Sequence, residues 1–458
     1  MGNDLKIKIA RFVTVAIKGQ SIIHYQQSMK AMLVLTSVFF GISLSLSSKP
    51  IRPEDAGKHI GEVLEVRGEV RGYTNGGGTT YINFGDAYPR QNFTIALDKK
   101  KILDGECFHS PFGREIVVKG KIENHSGKPR LVVQGIRDIR YLPVDEKSAI
   151  EGPIDGVAAR GRFAAAWHQI LMRNGFETIE KQAATFEKKG EMSMEGMSLI
   201  LGFFGALAIP DESNEDGWKA AFQRVECWRE AFPDSPNALH AKAGLLVNYA
   251  WAARGFGFAD KVTEEGWKKF RERIVSANVV LESIPEGDSR PDFYLTRQAI
   301  AMSQGWSREA VMTNLRASLD KFPGCFEIYI AVCTHLLPRW YGEEQEWQKF
   351  IADQTKEETP FQKELYTRAC WAMADFYPDA WHEIGVLWPR FKAGFEEIER
   401  RYPASMWNLN NFARFAMKND DKATCSRLLK KIEGREDMQV WLRWTQFEDA
   451  KKWAMKRA

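Results

Sequence analysis

Hydrophobic residues change their spacing once along this chain, and that change calls for two kinds of structure in one polypeptide. Between residues 60 and 141 apolar side chains alternate with polar ones, in short runs separated by glycines and turn residues, which is the period of half-buried strands. Beyond residue 160 they recur at steps of three and four, the period of a helix face. The helical pattern is plainest in residues 245–283. There Trp267, Phe270, Ile274, Ala277 and Leu281 share one face while Lys268, Lys269, Arg271 and Glu272 point elsewhere. The preceding run, 245–253, is nearly all apolar and ends at Arg254-Gly255, where glycine suits the left-handed residue of a helix end. The two segments predict a helical hairpin whose apolar stripes cover each other.

A chain of 458 residues has room for roughly two to four domains. At 44% hydrophobic and 27% charged residues it can bury a sizeable core. Charge is unevenly placed: residues 51–142 hold fifteen Lys/Arg against twelve Asp/Glu, whereas residues 143–458 hold 43 against 47. The helical part is thus no nucleic-acid magnet, because backbone binding needs clustered positive charge, while the weakly basic middle leaves that option open. Six cysteines are scattered without a CxxC pair, which gives neither a zinc nor a thioredoxin signature. Fifteen tryptophans at helical spacings point mainly to packing between helices.

Residues 31–46 read AMLVLTSVFFGISLSL, uncharged, behind Lys30 and ahead of Ser47-Ser48-Lys49. Sixteen residues are short for a spanning helix but fit the apolar core of a secretory signal. Residues 1–48 are therefore expected to be a signal peptide or an uncleaved membrane anchor, with Met29 an alternative start. Export to the periplasm or beyond follows as an expectation, and it argues against chemistry that needs ATP or chromosomal DNA.

Strands are expected near 60–73, 79–84, 92–97, 115–123 and 130–140, with a short helix or lid at 101–108. Five strands with a helical insert after the third is the order of an OB-fold, a small β-barrel spanning residues 51–142. Its sequence, HIGEVLEVRGEV, GGTTYINFGDAYPRQNFTIAL and VVKGKIENHSGKPRLVVQGIRDI, also resembles a bacterial OB-fold family marked by Asn-Phe-Gly followed by Tyr-Pro-x-Gln-x-Phe-Thr. Alternation sends Leu64, Val66, Val70, Ile82, Phe84, Phe93, Ile95 and Leu97 inward, and Tyr81, Asn83, Asn92 and Thr94 outward. With Tyr88 and Arg90 of the adjoining loop, these four outward residues are the candidate ligand face for single-stranded nucleic acid or oligosaccharide. Lys99-Lys100-Lys101, Lys119 and Lys121 add surface charge. Gly76-Gly77-Gly78 lacks the Lys-Ser/Thr of a phosphate loop and reads as a hairpin tip.

A Gly- and charge-rich linker is expected over 143–160, then an all-α, tetratricopeptide-like solenoid over 161–458, with a single irregular bundle as the alternative. Trp218, Phe222, Val225, Trp228 and Phe232 form one stripe, closed by a proline. Aromatic-proline stops recur at Phe232-Pro233, Phe322-Pro323, Tyr377-Pro378 and Tyr402-Pro403, at spacings of 90, 55 and 25 that exclude a strict 34-residue repeat. The run Tyr249-Ala250-Trp251-Ala252-Ala253-Arg254-Gly255, with Leu337-Pro338-Arg339-Trp340-Tyr341-Gly342 ahead of Glu346-Trp347, resembles the bacterial family catalogued as domain of unknown function 4034. The chain departs from that family at Tyr341 and Glu343, where a Trp-Gly-Gly-Ser is usual. The resemblance implies a tetratricopeptide-like fold and no known reaction, and it singles out Trp251, Arg254, Gly255, Trp340, Gly342 and Trp347.

Catalytic patterns are absent from the sequence: His382-Glu383 lacks the second histidine of a zinc-protease helix, and no Walker loop, dinucleotide fingerprint or Gly-x-Ser-x-Gly elbow occurs. Cys333 and His335 have no third partner in sequence. Glu343, Glu344 and Glu346 beside Trp340 and Trp347 read either as a solvated first turn or as an acidic aromatic site. Arg254 is expected to tie its loop by bonding carbonyls or an acid. The resulting expectation is an exported, non-enzymatic interaction or scaffold protein that needs no cofactor or metal and takes a protein or peptide on its solenoid. Nucleic-acid or sugar binding by the barrel is the alternative, and membrane contact is expected only through an uncleaved N-terminal segment. A hydrolase assembled from distant helices is the third possibility.

Overall fold

A computed structural model describes residues 49–76, 78–98, 111–212, 214–255, 259–285, 290–377 and 385–456. The N-terminal apolar segment, the lysine run and lid at 99–108, Gly77 and His382-Glu383 lie outside the described residues. Residues 50–458 form one compact unit. Among the described residues no helix is long and apolar enough to cross a membrane.

Six strands come first: β1 Val63–Gly76, β2 Thr79–Phe84, β3 Phe93–Asp98, β4 Glu115–His125, β5 Lys128–Val133 and β6 Ile139–Tyr141. Five of them close a ring in the order β1-β2-β3-β5-β4 and back to β1, with β3 and β5 parallel. This is the expected OB-like barrel. Strand β1 serves two neighbours, pairing β4 over its first half and β2 over its second, with a bulge between Val70 and Gly72 at the changeover. Inside the ring Val66, Val70, Ile82, Phe84, Phe93, Ile95 and Leu97 are fully buried, as alternation predicts, while Leu64 is only partly so. Phe84 and Phe93 stack at 5.8 Å. The expected fifth strand over 130–140 is instead two, β5 and β6. The Asp138 carboxylate accepts the Gln134 N–H at 2.7 Å, stabilising a turn where an unbroken strand was read.

The helices follow: α1 Glu146–Glu151, α2 Gly156–Met172, α3 Phe176–Lys189, α4 Leu199–Leu207, α5 Glu215–Ala231, α6 Asn237–Arg254, α7 Glu264–Glu282, α8 Pro291–Gln304 and α9 Arg308–Lys321. Then come α10 Phe326–His335, α11 Glu346–Gln354, α12 Pro360–Ala374, α13 Trp388–Arg401, α14 Met406–Lys418, α15 Lys422–Ile432, α16 Met438–Trp441 and α17 Trp444–Met455. Much of the stretch expected as linker is helical: α1 is capped by Asp145, and α2 begins at Gly156. Buried Ala149 and Ile154 hold this stretch to the fold, as do two hydrogen bonds between the Gln169 amide and the Val144 backbone, at 2.7 and 3.2 Å.

Successive helices pair, most extensively α6 with α7, α12 with α13 and α14 with α15. The even-numbered helices α2, α4, α6, α8, α10 and α12 also touch one another in turn, so they form an inner layer and the odd-numbered ones an outer layer. The hairpin read at 245–283 is present, with Phe270, Ile274, Ala277 and Leu281 buried against α6. Three of the aromatic-proline stops share one backbone conformation. Phe232, Phe322 and Tyr402 follow α5, α9 and α13 with φ near −130° and ψ near 60°. Each proline then blocks helix continuation, and the next inner helix starts a few residues later.

Candidate functional site

Among the concavities of the described residues, two gather sequence-distant polar groups most fully, one on the helical region and one on the outside of the β-ring. The first is organised by a hairpin the sequence did not advertise. Residues 191–199 double back on themselves, with Ser193 N–H on the Met197 carbonyl (2.8 Å) and Leu199 N–H on the Glu191 carbonyl (3.0 Å). The hairpin is gripped by side chains from four helices. Arg160 of α2 pairs with the buried Glu195 carboxylate at 2.5 Å. Arg368 of α12 and Asn408 of α14 donate to the Glu195 carbonyl at 2.7 and 3.1 Å. Glu327 of α10 accepts the Ser198 N–H at 3.1 Å. Gly196 makes this fit possible: its φ is +88°, and a Cβ there would stand 2.5 Å from the Tyr402 ring. Arg368 itself is held by Glu364 at 2.7 Å and lies over the Phe326 ring at 4.5 Å. Burial raises the Glu195 carboxyl above its usual range despite Arg160.

Beside this hairpin opens a cleft of about 580 Å³ with an apolar floor that includes Phe186 and Ile200. Glu180, Glu187, Arg290 and Glu327 line it. Glu180 accepts from Trp228, Ser235 and Asn237, and Arg290 donates to Glu187 at 2.6 Å and to Asn237. Glu195, Arg368, Asn408 and Glu327 were not legible as site residues, since they come together only through tertiary packing.

On the ring, the sequence-predicted face splits. Tyr81, Asn83, Tyr88 and Thr94 line one cleft of about 500 Å³. Thr94 donates to Asn83 across the strand pair at 2.9 Å, and Asn83, though outward of the barrel, is only 3% exposed. Tyr81 and Tyr88 are exposed. Arg90 and Asn92 leave this group. The Arg90 guanidinium lies 3.9 Å from the Trp444 ring centroid and reaches Glu448 at 2.6 Å, and Asn92 bonds Glu54 at 2.9 Å. Arg90 is drawn away because the β2–β3 loop docks on α17, and Asn92 because it turns to Glu54 ahead of β1. Trp444 donates its backbone N–H to the Tyr88 carbonyl at 3.1 Å and its indole N–H to Asp86 at 2.7 Å. The cleft gains residues that sequence reading missed: Gln91, Lys128 and Arg130 from the barrel, and Arg443 from the far end of the chain. Lys128 holds the loop by donating to the Pro89 and Gln91 carbonyls at 2.5 and 2.8 Å.

The helical motif residues assemble only partly. Trp251 meets Trp340 edge-on at 5.8 Å, joining segments far apart in sequence. Arg254 lies 5.3 Å from the Trp251 and Trp267 rings and donates to the Gly255 carbonyl at 3.1 Å, the loop-tying expected of it. Gly255 has φ +73°. Gly342 packs so closely that a Cβ would sit 1.9 Å from the Leu336 carbonyl oxygen. Trp347 is wholly buried. Glu346 accepts the Glu343 N–H at 2.8 Å, closing the first turn of α11. Cys333 and His335 are both core residues; burial pushes the thiol well up and, with Arg308, the imidazole down. No protein-family model matches the chain, and neither does any curated protein.

Proposed function

We propose that this chain is a non-enzymatic interaction or scaffold protein, exported by its N-terminal segment, that binds a protein or peptide on the inner face of its helical region. One observation carries the reading: side chains of α10, α12 and α14 already hold a hairpin turn of this chain by its backbone. Arg368 and Asn408 address the Glu195 carbonyl, and Glu327 addresses the Ser198 N–H. Bonds to main-chain groups recognise a peptide whatever its side chains, with neighbouring pockets supplying selectivity. The cleft beside the hairpin, with its apolar floor and charged rim, offers such a pocket. In this reading the ring is an OB module and the helices a tetratricopeptide-like scaffold akin to domain of unknown function 4034.

A photo-crosslinking amino acid at Met192, in the cleft, should capture a discrete partner in cells, whereas the same group at exposed Val279 on α7 should not. Identical products from both positions, or none from Met192, overturn the peptide reading. Turnover by the pure protein on a panel of hydrolase substrates overturns the non-enzymatic one.

A second reading, binding of single-stranded nucleic acid or oligosaccharide by the ring face, is favoured by the grouping of Tyr81 and Tyr88 over one cleft. Exposed aromatics are stacking platforms for bases and sugars alike.

A further inference from the structure

We propose that the ring-face cleft is a composite site for single-stranded nucleic acid, completed from the helical region by Arg443. This inference rests on the second reading above and adds two commitments: the ligand is anionic, and both parts of the protein hold it.

The first commitment follows from the lining. Lys128, Arg130 and Arg443 stand around the cleft, and no carboxylate is among the described residues that line it. Arg130 is already shared with Glu123 at 3.3 Å and Lys128 with the Pro89 and Gln91 carbonyls, but a neutral sugar makes use of the tyrosines and still leaves the Arg443 guanidinium without a counter-charge. A phosphate backbone uses both, since bases stack on Tyr81 and Tyr88 while phosphates meet the cations. A polar group in the floor also awaits a partner. Gln91 is 8% exposed, and its Oε1 has no hydrogen-bond partner among the described residues. A buried acceptor left open is costly unless something donates to it, and the imino or exocyclic amino group of a base is a suitable donor. The cleft, at about 500 Å³, matches a ligand-sized concavity and not a flat patch.

The second commitment follows from Arg443. Its guanidinium lies 6.0 Å from the Tyr88 ring centroid and has no ion-pair partner among the described residues. Neighbouring Arg90, by contrast, is spent on Glu448 and Trp444. The residue before Arg443, Leu442, has φ +63°, which a leucine rarely adopts. That turn redirects the chain so that Trp444, just after Arg443, bonds the Tyr88 carbonyl. The seam that fixes Tyr88 therefore also sets Arg443 at the cleft. A strand bound here touches barrel and helices at once.

The test is fluorescence anisotropy of the full chain with a short labelled oligothymidylate, titrated at several salt concentrations. Saturable binding that weakens steeply with salt is expected. Arg443→Ala should weaken it about tenfold and lower the salt slope by about one, as loss of one phosphate contact does. Arg443 is exposed, so the variant's melting curve should match the parent's. Tyr81→Ala should weaken binding at all salt concentrations with the slope unchanged. Absence of oligothymidylate binding at low salt overturns the inference. If labelled maltohexaose binds in its place, the ring-face reading survives without nucleic acid, and if neither binds, both fail. Binding that Tyr81→Ala reduces and Arg443→Ala leaves intact overturns the composite site and spares the ring face.

Discussion

Asp155, just ahead of α2, caps a helix that begins 250 residues later: its carboxylate accepts from the Ser405 hydroxyl at 2.6 Å and the Met406 N–H at 2.7 Å. It also lies 3.3 Å from the Trp407 N–H. A negative charge at a helix start satisfies donors that no carbonyl reaches and complements the helix dipole. The contact fastens the beginning of the helical region to its end. Asp155→Ala should lower stability by about 1–2 kcal/mol, as lost N-caps do, and Asp155→Asn by less, because an amide oxygen still accepts. Chemical denaturation of the three proteins checks this, and exchange of the Met406 and Trp407 amides should quicken first.

Glu195 and Asp437 lie near this junction, and burial raises both carboxyls above their ordinary values, with Asp155 adding like charge to each. A raised carboxyl takes up a proton more readily folded than unfolded. Its contribution is therefore most favourable below the unfolded value and is lost as pH rises through the folded one. Asp421 opposes this, since Lys392, Thr424 and Trp388 hold its carboxyl far below the usual range, so its stabilisation is present above the unfolded value and fades as pH falls. Glu195→Gln should flatten the loss of stability as pH rises above the ordinary carboxylate range while leaving the acid limb to Asp421. An unchanged upper limb in the variant would remove Glu195 from this role.

The corner where α6 meets the turn after α10 gives a third test. Trp340→Ala should cost about 1–3 kcal/mol, and a double-mutant cycle with Trp251→Ala should show coupling of about 0.5–1.5 kcal/mol for their edge-to-face contact. Gly342→Ala should cost more than about 2 kcal/mol, because its Cβ has nowhere to go unless the Leu336 carbonyl moves. Gly324, with nothing within 4 Å of a built Cβ, is the control, and Gly324→Ala should fall within about 0.5 kcal/mol of the parent. Thermal melts rank the four single variants and the tryptophan double variant.

Much of this architecture was legible because local chemistry agreed with the global fold. Alternation picked out Ile82, Phe84, Phe93 and Ile95 as ring core, since a strand has only two faces. The aromatic-proline stops marked helix ends because proline cannot continue a helix, whatever surrounds it. What escaped was long-range. Arg90 looked like a surface cation beside a ligand face until Trp444 and Glu448, some 350 residues on, claimed it. The hairpin at 191–199 carries no period of its own, and its glycine is needed because the turn takes φ +88° where Tyr402 and Arg368 press on Gly196. Arg443 sits at the start of a helix that nothing in sequence ties to the barrel. Composite sites of this kind are invisible to spacing, because spacing reports neighbours within an element and not those across a seam.

The seam itself can be weighed. Arg90 over Trp444, with Glu448 behind, is an exposed cation on an aromatic face, worth about 0.5–1 kcal/mol for the stacking. Trp444 contributes more, because its indole N–H also serves Asp86 and its ring packs edge-on against Phe447 at 6.1 Å. Arg90→Ala should therefore destabilise by about 1 kcal/mol and Trp444→Ala by about 2–3 kcal/mol, with the double variant costing less than the sum. The decisive readout is cooperativity. Residues 50–458 pack as one unit, so the parent should melt with ring and helices together. Once Trp444 is gone, the ring keeps its own buried core while losing its main hold on α17, and calorimetry of Trp444→Ala should resolve a separate, earlier ring transition. A single sharp transition in that variant would mean that the contacts around α2, where Arg162 reaches the Gly113 carbonyl at 3.4 Å, suffice to couple the two parts.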